Sequence, residues 1–151
     1  MKVFERLTDL QGLVGQSLGT SDWVQIDQER IDRFAEATGD HQWIHVDPAR
    51  ARQGPYGTTV AHGFLTLSLL PLFFESAFVI RDVSMGINYG LNRVRFPAPV
   101  PVDSRLRAHF TLLAYEPLEP AGAQLTVQVT VEREGSDKPV CVAESVTRRH
   151  L

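Results

Sequence analysis

Two short stretches hold the residue types that proton-transfer chemistry needs. The first, Thr38-Gly39-Asp40-His41-Gln42-Trp43-Ile44-His45-Val46-Asp47-Pro48, concentrates titratable side chains among apolar ones. Asp40 and His45 are five residues apart, and in a turn that spacing can bring a carboxylate and an imidazole to face one water molecule. Such a pair can take a proton and return one. The same residues also suit a plainer role, with Asp40 turning the chain after Gly39 and His45 a satisfied buried histidine. The second stretch is Val60-Ala61-His62-Gly63-Phe64-Leu65. A glycine where a helix begins lets a ligand approach free backbone N–H groups, which makes an oxyanion site at Gly63 conceivable. Tight packing at the helix start would equally require it.

The elements that must position these residues follow from hydrophobic period. Residues 4–14 are expected to form a short leading helix and 23–26 a short strand. Asp27 is placed to cap a helix through Ile31, Phe34, Ala35 and Thr38, with Gly39 as its stop. Asp47 followed by Pro48 reads as a second cap and a short turn that ends near Gly54-Pro55. Residues 58–61 form a brief β-prone run. From Gly63 to Phe78 the chain is apolar on nearly every face, the pattern of a buried helix, which Pro71 should kink without ending. Period-two segments then occupy 84–94, 105–115, 124–132 and 140–147. The expected architecture is α+β, a curved antiparallel sheet wrapped around one buried central helix. A sheet covering one helix leaves an edge exposed, so a homodimer is expected.

Composition narrows the function. The 151 residues suit a single domain over 1–151, and 43% hydrophobic content suffices for a real core. Fifteen basic against 18 acidic residues give a net charge of −3, which leaves no nucleic-acid footprint. The single cysteine, Cys141, can form no internal disulfide, and MKVFERLTDL lacks the apolar core of a secretory signal. No apolar run approaches the roughly 20 residues of a membrane span, so a cytoplasmic protein is expected. A metal site is not expected. His41 and His45 with Asp40 or Asp47 are separated by Trp43, Ile44 and the Pro48 break, and no cysteine pair or second histidine cluster completes a ligand set. Ser68 and Ser76 lack the Gly-x-Ser-x-Gly elbow of serine hydrolases.

In this order, the residues 37–48 with their Asp-x4-His and Asp-Pro elements, the Val60-Ala61-His62-Gly63 segment and Arg93-Val94-Arg95-Phe96-Pro97-Ala98-Pro99-Val100 resemble the MaoC-like, R-specific enoyl-CoA hydratases of the hot-dog fold. The resemblance spans residues 23–147. It implies hydration of trans-2-enoyl thioesters to (R)-3-hydroxyacyl thioesters, or the reverse dehydration, with no cofactor. It also implies that Asp40 and His45 hold and activate the water while the Gly63 N–H binds the thioester oxygen. Two departures stand out. Gln42-Trp43 replaces a frequent Asn-Pro and is expected to reshape the mouth of the acyl pocket, and Pro71 falls where some members carry a serine that orients the aspartate.

The implied substrate is an acyl-CoA or acyl-carrier-protein thioester. Arg93 and Arg95, two apart on a strand, could meet coenzyme A phosphates, or only solvate an edge. Two other functions remain on the hot-dog scaffold. One is an acyl-CoA thioesterase using Glu75, which about three helical turns place some 18 Å from Gly63, too far to cooperate. The other is a non-catalytic acyl-binding module, against which the intact Asp40 and His45 speak.

Overall fold

Alternation of apolar and polar residues builds the sheet. In a computed structural model describing Met1–Leu151, the long strands are β5 (Met85–Arg95), β6 (Ser104–Pro117), β7 (Gly122–Arg133) and β8 (Cys141–His150). Leu106, Ala108, Phe110 and Leu112 of β6 and Leu125, Val127, Val129 and Val131 of β7 are all buried, as period two requires. Two short strands, β2 (Ser17–Thr20) and β3 (Val24–Ile26), both pair antiparallel with β6, and the sheet runs β2-β6-β7-β8-β5. A separate parallel pair joins β1 (Lys2–Phe4) to β4 (Phe78–Ile80).

The central helices pack against the sheet. α1 (Gln28–Thr38) starts where the Asp27 carboxylate accepts the Arg30 N–H at 2.9 Å, and it ends at Gly39 in the left-handed region. α2 (Trp43–Val46) and α3 (Pro48–Ala51) follow, with Asp47 capping α3 through the Arg50 N–H at 3.0 Å. The central apolar segment forms α4 (Gly63–Ser68) and α5 (Leu70–Ala77). Their junction, Leu69, keeps helical dihedrals, but Pro71 has no N–H to return to the Leu67 carbonyl, so the ladder is interrupted there. Phe73 and Phe110 are fully buried, and Phe74 stacks on Phe110 at 4.4 Å.

Three expectations change. The leading segment is a 3₁₀ helix over Leu7–Leu13, because Leu7 and Leu10 share one face at three residues per turn and both are buried. Residues 58–61 make only an isolated bridge, Val60 to Pro101. The central helix is not buried on all sides: Phe64 is 68% exposed, and Leu72 is exposed as well. Strand β5 shares that condition, with Met85, Ile87, Tyr89 and Leu91 all open on a sheet edge.

Truncating Phe110 to Ala removes a wholly buried ring that two other aromatics contact. We expect a loss of about 3–5 kcal/mol in denaturant unfolding, the range for phenylalanine truncation in a close-packed core. A loss under about 1 kcal/mol would mean the core collapses around the gap.

Candidate active site

His45 is buried in α2, and its Nδ1 lies 2.7 Å from the Val60 carbonyl oxygen. A carbonyl only accepts, so Nδ1 carries the proton and Nε2 keeps a free lone pair. The surrounding backbone fixes this arrangement. Val60 N–H donates to the Ile44 carbonyl, Ala61 N–H to Val100, and Val102 N–H to Thr59. Gln28 at the start of α1 donates to the His45 carbonyl at 2.7 Å and accepts from the Thr59 hydroxyl at 2.6 Å. One side chain thereby ties α1, α2 and the segment before α4 together.

Asp40 sits in the exposed loop after Gly39, and its carboxylate accepts the Gln42 N–H at 3.4 Å. His62, only 3% exposed, stacks on His45 with ring centres 3.8 Å apart, and its Nε2 donates to the Asp40 carbonyl at 2.9 Å. The Asp40 carboxylate and one nitrogen from each histidine lie within 4.8 Å of one another. Residues far apart in sequence therefore meet as a trio. His62 is the member that sequence reasoning missed as a functional side chain; its only signal is its place beside Gly63.

The trio does not fit a resident metal. A ring nitrogen binds a metal near the plane of its ring, at about 2.0–2.1 Å for zinc. Two imidazoles stacked at 3.8 Å and 24° offer no point that lies in both planes at that distance. The arrangement suits proton transfer instead. Burial pushes the His45 pKa below its ordinary value, outweighing the opposing bond to Val60 and the attraction of Asp40, and neighbouring His62 pushes the same way.

A cavity of about 360 Å³ opens beside this group, lined by His45, Val60, Gly63, Thr66 and Phe96. Gly63 occupies the first position of α4, and its N–H makes no backbone hydrogen bond. A Cβ there would stand 2.9 Å from the Phe96 ring. A side chain there would have to displace the Phe96 ring, so packing favours glycine, and the residue itself lines the cavity.

Residues 9–135 match the family described as MaoC like domain. The chain belongs to the MaoC-like family. It is 57% identical over 148 residues to the 3-hydroxyacyl-thioester dehydratase Z of Mycobacterium tuberculosis, covering 98% of each chain. Nodulation protein N of Rhizobium leguminosarum bv. viciae is 47% identical over 143 residues, 93% of this chain and 89% of that one. Among solved structures, the MaoC-like dehydratase from Rhodospirillum rubrum superposes with a TM-score of 0.77 at 23% identity over 96% of each chain. The (R)-hydratase from A. caviae involved in PHA biosynthesis gives 0.71 at 22% identity, over 89% of this chain and 94% of that one. These two likenesses establish the hot-dog fold.

The MaoC-like chain departs from the sequence expectation at two points. Trp43 packs against Gly54 beneath Arg50, 4.3 Å from the ring, and does not line the cavity beside His45. Pro71 lies on α5 against a different cavity, so the Asp40 carboxylate takes its partner from the Gln42 backbone instead. Arg93 and Arg95 stand exposed on β5 without an acidic partner, and Arg95 directly precedes Phe96 at the cavity. Glu75 lines the cavity that holds Pro71, apart from His45.

His45 should titrate below its ordinary 6.5 in an NMR-monitored pH series. Asp40→Asn removes an attraction that favours the charged ring, so the midpoint should fall further. A midpoint above 6.5, or an upward shift in the variant, would contradict the assignment of burial as the dominant influence.

Proposed function

We propose that this dehydratase-class enzyme adds water to trans-2-enoyl thioesters, giving (R)-3-hydroxyacyl thioesters, and catalyses the reverse dehydration. The observation that carries the reading is the Asp40–His45 pair: a carboxylate beside a buried imidazole whose Nε2 lone pair is free because Val60 holds Nδ1–H. The two side chains hold one water between them. His45 Nε2 takes its proton as the hydroxyl adds to C3, and a proton returns to C2 from the same group. Each transfer contributes about 10²–10⁴ in rate. Negative charge builds meanwhile on the thioester oxygen, where the Gly63 N–H donates; such a donor is worth about 10²–10³. His62 acts as a positioning residue, because its ring lies against His45 and its Nε2–H holds the Asp40 backbone.

The name of the 57%-identical relative, a 3-hydroxyacyl-thioester dehydratase, supports the same substrate class. Arg93 and Arg95 are the residues we assign to the phosphates of a coenzyme A substrate, since neither has an acidic partner and they lead into Phe96 at the cavity. The enzyme acts as a homodimer through β5, whose Met85, Ile87, Tyr89 and Leu91 leave an apolar edge unpaired. We place it in the cytoplasm, in keeping with its one buried, unpaired thiol; no helix is long and apolar enough to cross a membrane.

With a short trans-2-enoyl-CoA, the conjugated thioester absorbance should disappear and chiral analysis should return the (R)-3-hydroxyacyl product. Release of free thiol without a hydroxyacyl product would show a thioesterase instead. Replacing both Arg93 and Arg95 by Ala should raise KM for the coenzyme A substrate and leave kcat within about twofold, the pattern of lost uniform binding. Light scattering should give a dimer mass, and Ile87→Lys should shift it toward the monomer; a monomer mass with full activity in the parent would contradict the interface.

A further inference from the structure

A second cavity, of about 430 Å³, lies between α5, β4, β5 and β8 and shares no lining residue with the one beside His45. Its walls are half apolar and half polar, with Phe74, Phe78, Ile80 and Ile87 on the apolar side. Two polar side chains of β8 also line it, and both are left without partners. Thr147 is 2% exposed and its hydroxyl makes no hydrogen bond. Arg149 is partly buried; its Nε is shielded with no acceptor, and its guanidinium makes no hydrogen bond or ion pair within the chain. Residues two apart on a strand share a face, and both side chains line this cavity.

Buried donors without acceptors are destabilising, and native structures rarely leave them so. Here the fold makes room for one. Gly86, opposite Arg149 on β5, would bring a Cβ within 2.6 Å of Nη1, so its lack of a side chain is what admits the guanidinium. Phe74 presents its ring 5.6 Å from the cation. Glu75 lines the same cavity but forms no ion pair with Arg149. Burial alone lowers the Arg149 pKa, with no carboxylate acting against it. A planar fork of donors, a neighbouring hydroxyl and aromatic walls match one ligand chemistry, a carboxylate on a short apolar chain.

We propose that this cavity binds such a carboxylate, with Arg149 and Thr147 on its oxygens and Phe74 and Phe78 along its chain. The carboxylate has two sources: a free short-chain acid, or the far end of an acyl group whose thioester sits beside His45. Only the second rests on the hydratase reading.

Calorimetric titration of the intact protein with hexanoate, hexanamide and hexan-1-ol tests the first source. Hexanoate should bind at least tenfold more tightly than either neutral compound. Arg149→Gln should abolish that preference, and Thr147→Val, which keeps side-chain shape, should weaken hexanoate several-fold with an unchanged circular dichroism spectrum. The second source is tested by kinetics on enoyl-CoA substrates ending in a carboxylate or a methyl group. If the acyl end occupies the cavity, Arg149→Gln raises KM at least tenfold for the carboxylate-ended substrate alone. If a free acid is the ligand, both substrates are unaffected while the calorimetric effect stands. An inactive parent enzyme would sink the hydratase reading and leave the calorimetry to decide this one. The proposal is overturned if hexanoate binds no better than hexan-1-ol and the carboxylate-ended substrate gains nothing from Arg149. It is equally overturned if hexanoate gives no heat and Arg149→Gln dissociates the dimer, since the partner subunit would then supply the missing acceptor.

Discussion

The 2.7 Å bond between His45 Nδ1 and the Val60 carbonyl is the contact on which the site depends. It is buried, so leaving either partner unmade would cost about 1–3 kcal/mol, more than the roughly 1 kcal/mol that a typical hydrogen bond contributes net. That asymmetry locks the ring in one tautomer and one orientation. The reciprocal bond from Val60 N–H to Ile44 joins the same two segments through their backbones. Because Val60 lies three residues before Gly63, the interaction that orients the His45 ring also places the start of α4. Gln28 carries the constraint on to α1 through its bonds to His45 and Thr59.

Burial and charge set apart the two side chains to which we assign the proton transfer. His45 is withdrawn from water, which disfavours its charged form, and this outweighs the opposite pull of Asp40. A lowered pKa keeps the imidazole neutral further into the acid range, and only the neutral ring can take a proton from water. Asp40, by contrast, remains exposed on its loop. Its backbone is held by His62, and its carboxylate meets only the Gln42 N–H, so a water at the pair meets little competition. The stacked His62 serves both halves at once, since one face of its ring meets His45 while an edge nitrogen holds Asp40.

Local chemistry was legible in the sequence, and contacts between distant segments were not. The ends of α1 follow from Asp27 and Gly39 because a cap is made within a few residues. Strands β6 to β8 follow from alternation because one face of each must meet the core. Strand β2 escapes such a reading: it has four residues, one of them Gly19, and exists because β6 offers a partner some ninety positions away. The exposure of Phe64 and Leu72 is invisible for a related reason. An all-apolar helix looks the same in sequence whether its outer face meets a core or is left open. Asp40, His45 and Gly63 could be singled out by residue type and resemblance, but the stacking of His62 on His45 spans seventeen residues and arises only when Val60 turns the chain back. Neither Arg149 nor Thr147 carries any local signal, since their isolation is a property of the cavity.

The central claim is that Asp40 and His45 act on one water as a unit, and a double-mutant cycle in kcat tests it most directly. Asp40→Asn and His45→Gln should each lower kcat by roughly 10²–10⁴ with a smaller effect on KM, and the double variant should be little worse than the poorer single one. Losses that multiply in the double variant would contradict the shared water. Single variants that fold normally and keep kcat within about tenfold of the parent would contradict any role for the pair in proton transfer.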